Sequence, residues 1–508
     1  MSKRYTSKTI GLILGPVLFG LILLFFHPPG LGIEANAVLA STAWIAVWWI
    51  TEAIPIAVTS LLPIILFPLT GGLSLNQTTA SFGHRYIFLY IGGFMLAIAI
   101  ERWNLHRRIA LTIIRFIGTN IKGIILGFMA ATAFLSMWIS NTATTVMMLP
   151  IGMAIVSQLK DNPDTIENEN RTFGKVLMLA IAYSASIGGV ATLIGTPPNL
   201  VFAGVIEETY GIEISFGQWI QFGLPISLIL LFICWKYLTE YAYRFEQQSF
   251  PGGRAEIQRQ LQALGKISIE EKRVLGVFVG TALLWISRSP IQKFIQAQCA
   301  SKEAYEQLMI SRIDDTIIAM IAGITLFLIP AAQEKKRPII QWDEAVKLPW
   351  GVLLLFGGGL ALAQGFKISG LAQWLGEQMT LAEGISTLLL LLLIVAAINF
   401  LTEITSNLAT TSMMLPILVL LAQAIDVHPY LLTVGATVAA SCAFMLPVAT
   451  PPNAIVFGSG YLKIPDMVKA GIWLNIISII LLTIFAYTLL PMLWGFDPGA
   501  FPADWSSK

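Results

Sequence analysis

Residues 135–151 read LSMWISNTATTVMMLPI, and residues 401–417 read LTEITSNLATTSMMLPI. The two strings share the run S-N-x-A-T-T-x-M-M-L-P-I in one register. A second short match follows each copy, IGTPPNLVF at 194–202 and VATPPNAIVF at 448–457. Internal repetition constrains architecture before any local reading does, because one half of the molecule then repeats the other. Function is expected where the two copies meet.

Hydrophobic residues make up 56% of the 508 and charged residues only 12%, about half the charged share of an average soluble domain. Apolar runs near twenty residues long recur throughout, the mark of a polytopic membrane protein. A net charge of +2 carries no signature of a nucleic-acid partner. Cys234, Cys299 and Cys442 are too few and scattered for a disulfide framework or a thiolate metal site. His27, His84, His106 and His428 are equally dispersed, and HExxH, GxSxG and GxxxxGK[ST] are absent. These absences argue against a metalloprotease, a serine hydrolase or an ATP-driven pump. The apolar run ending at Phe26 exceeds a signal-peptide core, so it reads as a retained first span despite the Ala35-Asn36-Ala37 triplet.

Apolar runs read against turn residues place spans near 9–27, 37–53, 54–70, 86–101, 173–207, 217–238, 272–290, 313–331, 346–366, 430–458 and 470–493. Two further apolar stretches, 121–158 and 384–421, carry a polar cluster at mid-length where a loop would be expected. Each reads as a re-entrant hairpin whose tip is buried in protein, where irregular backbone is tolerated. The expected fold is an all-α polytopic membrane protein of about eleven transmembrane helices and two re-entrant hairpins in inverted repeats. Its divisions are a first helix (1–36), repeat 1 (37–238, with hairpin 121–158 and broken helix 173–207) and a cytoplasmic connector (239–271). Repeat 2 follows (272–495, with hairpin 384–421 and broken helix 430–458), then an external tail (496–508). A polar insertion at 157–175 reads as a cytoplasmic loop.

With the N-terminus inside, inner segments hold 24 of the 31 Lys and Arg residues, which places the N-terminus in the cytoplasm and the C-terminus outside. The first hairpin then enters from the cytoplasm and the second from outside. The match extends to YIGGFMLAIAI at 90–100 and LFGGGLALAQG at 355–365, each followed by an amphipathic stretch (105–118 and 368–379) suited to the membrane interface.

Ser140-Asn141-Thr142 and Ser406-Asn407-Leu408 stand where a helix restarts, and Ser, Thr and Asn are N-cap residues. Gly195-Thr196-Pro197-Pro198 and Ala449-Thr450-Pro451-Pro452 repeat the device, since proline breaks a helix and suits the first turn of the next. Four half-helix N-termini can thus converge near the midplane while the preceding helix ends leave carbonyls free. An anion suits the N-termini, and Na⁺ suits the carbonyls and hydroxyls. Neither tip holds Lys or Arg, so an anion would be balanced by helix ends and co-bound cations. Glu403 is the acidic residue near the second tip, for which a hydrogen-bonded structural role is preferred over an ion site.

At these paired motifs the chain resembles the divalent anion:sodium symporter (DASS) family, from TEAIP at 51–55 to the last span. The resemblance implies Na⁺-coupled carriage of a small dicarboxylate such as succinate, malate or fumarate, by an elevator-like homodimer in the plasma (inner) membrane. Carried over by motif, one Na⁺ site would involve Ser136, Ser140, Asn141 and Gly195, and the other Thr402, Thr405, Asn407 and Ala449. Substrate carboxylates would meet Asn141, Thr142, Thr196, Asn407, Thr450 and Pro451. Leu408 departs from the family pattern, which commonly has Thr there. A sodium-independent exchanger and a citrate or sulfate symporter are the alternatives on this fold. A membrane enzyme would need a nucleophile with a base or metal beside a tip, and an anion channel would lack saturable coupled uptake.

Overall fold

The computed structural model describes residues 2–118, 120–158, 169–243, 245, 251–332, 337–378 and 386–505. Among them the chain is helical throughout, with one isolated bridge between Pro330 and Pro338. Nine helices among the described residues are long and apolar enough to cross a membrane. Setting aside the hairpin helix Asn407–Ala424, and adding Ile56–Thr70, Asp315–Leu328 and the broken Pro429–Phe457, returns the expected eleven passes.

Proline decides where several passes are interrupted. The expected span 54–70 is two short helices, Ile56–Thr59 and Leu62–Thr70, because Pro55 stands at the N-cap of one and Pro63 in the first turn of the other. Two outer helices exceed their expected lengths. Ile269–Gln298 and Ile464–Trp494 have 30 and 31 residues, roughly 45 Å at the α-helical rise against a hydrocarbon core of about 30 Å. A capping box of Ser268 with Glu271 starts the first of them outside the apolar run.

Both hairpins form. The first is Ile121–Ser136 and Asn141–Val156, and the second is Thr387–Leu401 and Asn407–Ala424. The amphipathic stretches are the helices Leu105–Ile117 and Leu371–Gln378. Leu105, Ala110, Leu111 and Ile114 give the first its buried face, and Arg108 ties it to the connector through Glu271 at 2.7 Å and the Gly265 carbonyl at 3.0 Å. Most of the insertion at 157–175 lies outside the described residues. The connector contributes the helix Pro251–Ala263.

The repeats interlock by exchange. Asn141–Val156 packs on Pro451–Phe457, and Asn407–Ala424 packs on Pro197–Tyr210. Each hairpin thus returns onto the half-helix that follows the break in the other repeat. Glycine in the two matching GG segments permits close helix crossing. A Cβ on Gly92 would stand 2.5 Å from the Ala319 backbone, and one on Gly358 2.6 Å from the Ser60 carbonyl oxygen. Both broken helices are deeply enclosed, Asn170–Val190 being nearly all buried and Pro429–Ala440 buried at every residue, whereas the first helix is peripheral.

Two broken helices inside apolar surroundings expose backbone groups that must find partners in the protein. The asparagine of each TPPN motif turns back to supply them. Asn199 Nδ2 donates to the Thr192 and Gly189 carbonyls at 2.7 and 3.2 Å, and Asn453 Nδ2 to Leu446 and Ala443 at 3.0 and 3.1 Å. The first break, 191–196, is short, and the Thr192 hydroxyl and Trp219 Nε1 complete it by donating to the Met137 and Val190 carbonyls. The second, 441–450, is longer and needs an anion. Glu403 is 3% exposed and accepts from the backbone N–H groups of Phe444, Met445 and Leu446 at 2.8, 3.0 and 3.0 Å, and from Asn475 Nδ2 at 2.7 Å. Tyr183 of the first broken helix donates to the Phe444 carbonyl at 2.8 Å and so ties that helix to the second break.

Glu403→Ala would leave the partly buried Met445 and Leu446 N–H groups and the buried Asn475 amide without that acceptor, while the Phe444 N–H keeps Asn475 Oδ1 at 3.3 Å, a loss of roughly 3 kcal/mol. Thermal unfolding of the purified protein in detergent should show a large destabilisation for Glu403→Ala and a smaller one for Glu403→Gln, which keeps one acceptor. An unchanged melting temperature with an altered Na⁺ dependence would instead make Glu403 an ion ligand.

Candidate functional site

Hairpin 1 ends its entering helix at Ser136 and restarts at Asn141, with Ser140 as N-cap accepting from the Ala143 N–H at 3.2 Å. The restart aims the Asn141 amide at the first broken helix. One terminal atom of that amide lies 2.6 Å from Ser136 Oγ and 3.3 Å from the carbonyl oxygens of both Ala185 and Gly195. Ser136 is fully buried, and its hydroxyl donates to the Ala185 carbonyl at 2.7 Å. With the amide NH2 turned inward, all three oxygens accept from it. With its oxygen inward, the Ser136 hydroxyl can donate to it at 2.6 Å, and the Ala185 and Gly195 carbonyl oxygens face it as further acceptors, an arrangement that suits a cation. Oxygens about 3.3 Å apart match neighbouring ligands on a hard ion bound at about 2.3–2.6 Å.

This approach depends on a residue the motifs do not contain. A Cβ on Gly189 would stand 2.7 Å from Asn141 Oδ1 and 3.1 Å from the Gly195 carbonyl, and one on Gly195 2.4 Å from the Gly189 carbonyl. The Gly188-Gly189 pair inside a buried helix was the available signal, since glycine there costs about 1 kcal/mol unless contact demands it.

Hairpin 2 repeats the arrangement with Thr402 in place of Ser136. The Thr402 hydroxyl lies 2.7 Å from Asn407 Oδ1 and 3.0 Å from the Ala440 carbonyl. Thr405 is turned elsewhere: it donates to the Leu401 carbonyl at 2.9 Å and pairs with the Thr410 hydroxyl at 2.6 Å. Ala449 is buried at the end of the break, its N–H donating to the Leu446 carbonyl at 3.2 Å. The structure thus brings Ser136, Asn141 and Gly195 together at one tip and Thr402 with Asn407 at the other. Ala185 and Ala440 join them through backbone carbonyls, which sequence reading did not single out.

The residues expected to meet an anion divide by exposure. Thr142 and Pro451 are exposed, whereas Thr196 and Thr450 are buried at 2% and 4%. Leu408, the counterpart of Thr142, is buried at 5%. Thr450 caps its half-helix by accepting from the Asn453 N–H at 3.3 Å, while Thr196 makes no side-chain cap. The half-helix after Thr196 is clamped at its far end: Glu207 pairs with Arg85 at 2.6 Å, and Lys367 donates to the Glu208 and Thr209 carbonyls at 3.1 and 2.8 Å. Those contacts fasten that end of the half-helix to its neighbours. On the other side Val146, Pro150, Pro451 and Ala454 are exposed. Among the described residues no group of three His, Cys, Asp or Glu could hold a metal ion.

Comparison with known proteins places the chain in a family. A sequence profile described as the sodium:sulfate symporter transmembrane region matches residues 6–495. The sodium-dependent dicarboxylate transporter SdcS of Staphylococcus saprophyticus is 49% identical over 500 residues, covering 98% of this chain and 94% of that protein. SdcS of Staphylococcus aureus (strain MRSA252) is 50% identical over 495 residues, covering 97% and 93%. Two solved structures share the fold at low identity. Neisseria gonorrhoeae MtrF has a TM-score of 0.57 at 12% identity, covering 96% of this chain and 95% of its own. The Alcanivorax borkumensis YdaH transporter has 0.57 at 15%, covering 98% of each. An integral membrane chain matched from end to end in this way belongs to the sodium:sulfate symporter family, the divalent anion:sodium symporters that its paired motifs resemble, and is a transporter rather than an enzyme.

Proposed function

We propose that the protein couples Na⁺ influx to uptake of four-carbon dicarboxylates. The observation that carries this reading is the pair of hydroxyl–asparagine–carbonyl clusters, Ser136–Asn141–Ala185 and Thr402–Asn407–Ala440, at the starts of two half-helices. Each offers neutral oxygens to a cation on one side and a helix N-terminus to an anion on the other. Ser140, Gly195, Thr405 and Ala449 complete the two Na⁺ sites in this reading, Thr405 after a change of rotamer. The dianion lies between them, against Asn141, Thr142, Thr196, Asn407, Thr450 and Pro451.

Coupling follows from charge. The tip motifs carry no Lys or Arg, and a helix end supplies only about half an elementary charge. A dicarboxylate is therefore compensated only when Na⁺ is bound beside it, and by linkage each strengthens the other. The relatives' name, sodium-dependent dicarboxylate transporter, accords with this. Two carboxylates about 5 Å apart, by bond lengths, let a pseudo-symmetric ligand meet a pseudo-symmetric site. Sulfate is too short to reach both ends.

Alternating access in this proposal is an elevator-type movement of the two hairpins and broken helices against the other helices, in a homodimer. The N-terminus is cytoplasmic and the C-terminus external. The end clamped by Arg85–Glu207 then faces outward, and the exposed end at Thr142 and Pro451 faces the cytoplasm.

The decisive experiment is uptake of labelled succinate into proteoliposomes under an imposed Na⁺ gradient. Uptake should require Na⁺, and Asn141→Ala or Asn407→Ala should abolish it while the protein stays folded. Full counterflow in Na⁺-free buffer would replace symport by exchange, and normal transport by both single variants would move the site elsewhere.

Access can be read with single cysteines in a background without Cys234, Cys299 and Cys442. Thr142→Cys should label readily and Leu408→Cys slowly in the state described here, with the balance shifted by Na⁺ and succinate. Labelling that no ligand alters would remove alternating access from the proposal.

Leu408→Thr restores a hydroxyl worth roughly 0.5–1.5 kcal/mol, and should tighten succinate binding several-fold. Competition assays check the ligand class: malate and fumarate should displace succinate better than sulfate or citrate, and sulfate competing best would end the dicarboxylate reading.

A further inference from the structure

At the basic end of the bundle, away from the tips, a cavity of about 720 Å³ opens between Phe216–Lys236 with its following π-helical turn Tyr237–Ala242 and the start of Ile464–Trp494. Lys236 and Lys469 line it from the two helices. Its ionic surroundings are unequal. Glu240 is shared by Lys236 at 2.8 Å and Lys122 at 3.5 Å, and Asp466 pairs with Lys175 at 2.9 Å. Four lysines thus face two carboxylates, and Lys469 has no ion-pair partner among the described residues. A surplus of positive charge remains.

The other lining is apolar and open to the side. Phe232 and Trp473 are each 56% exposed and Tyr241 is 79% exposed. Phe232 and Trp473 belong to membrane-crossing helices, so their exposed faces meet hydrocarbon. Tyr237, Tyr241 and Tyr243 form the aromatic rim found where a span reaches the headgroups. A soluble anion would leave the apolar wall unused, and a neutral lipid would leave the lysines unused. A ligand with a phosphate and an acyl chain uses both.

We propose that this cavity binds an anionic phospholipid, with its phosphate between Lys236 and Lys469 and one acyl chain along Phe232, Trp473 and Ile477. The volume lies in the range of about 300–1,000 Å³ that encloses a small ligand, enough for a headgroup while the tails lie outside. Such a lipid would bridge two helices that pack beside the broken helices. The inference needs only membrane embedding, so its failure would leave the transport reading standing.

Native mass spectrometry of the full-length protein, delipidated and titrated with phosphatidylglycerol or phosphatidylcholine of identical chains, tests it. Wild type should retain phosphatidylglycerol preferentially, and Lys236→Gln/Lys469→Gln should retain roughly tenfold less. Lys272→Gln, at an exposed lysine on another helix, should match wild type. Ile477→Trp fills the groove without altering charge and should also cut retention; it carries the test alone if the double variant does not fold. Equal retention of both lipids by wild type, or unchanged retention in the folded variants, would overturn the proposal. So would full displacement of phosphatidylglycerol by millimolar inorganic phosphate or glycerol phosphate, since the ligand would then be a free anion.

Discussion

Backbone polar groups set free where a helix breaks inside a membrane must be satisfied by the protein itself. This chain breaks two helices and folds two hairpins at one depth, so it carries that obligation four times over. Asn199, Asn453, Thr192 and Glu403 discharge most of it. The Asn141 and Asn407 clusters are built from groups left over. Their hydroxyls, amides and carbonyls are held in place by the same hydrogen bonds that keep the breaks ordered, and they point where two half-helices begin. Stability and site are thus one network. The residues that satisfy the freed backbone groups are not those proposed to face a ligand.

The two repeats are related but unequal, and the inequality has physical content. Repeat 1 closes its break with a hydroxyl and neutral side chains, and Gly189 lets the hairpin amide approach within contact distance. Repeat 2 has Ala443 at the corresponding place, a longer break, and a carboxylate that gathers three successive N–H groups. Thr142 is exposed while its counterpart Leu408 is buried. One post-break half-helix is clamped through Glu207 to Arg85, and its counterpart presents Pro451 and Ala454 to the surroundings. Inverted repeats held in one conformation cannot have identical environments, because the helices around them favour one end. The departure from symmetry records which end is clamped.

Much of this was legible in the sequence. The duplicated strings, the prolines of TPPN and the Ser-Asn restarts act through local backbone chemistry: a missing N–H, a fixed φ, a side chain that caps its own helix. Such effects hold wherever the residues sit in space, so the hairpins, both breaks and the count of passes followed from them. Glu403 was also readable as a hydrogen-bonded structural residue, from its place near the outer end of a hairpin.

Tertiary structure decided everything that depends on which distant groups arrive at a tip. The carbonyls of Ala185 and Ala440 are indistinguishable in sequence from any others, and only the packing of a broken helix on a hairpin selects them. Packing likewise turned Thr405 toward Thr410, set Phe444 on Glu403 from 41 residues away, and brought Lys236 and Lys469 to one cavity. The sequence by itself determined where the helices must stop, because stopping is local. Which carbonyls meet those ends was settled by the fold, because every residue carries a carbonyl and only geometry chooses among them.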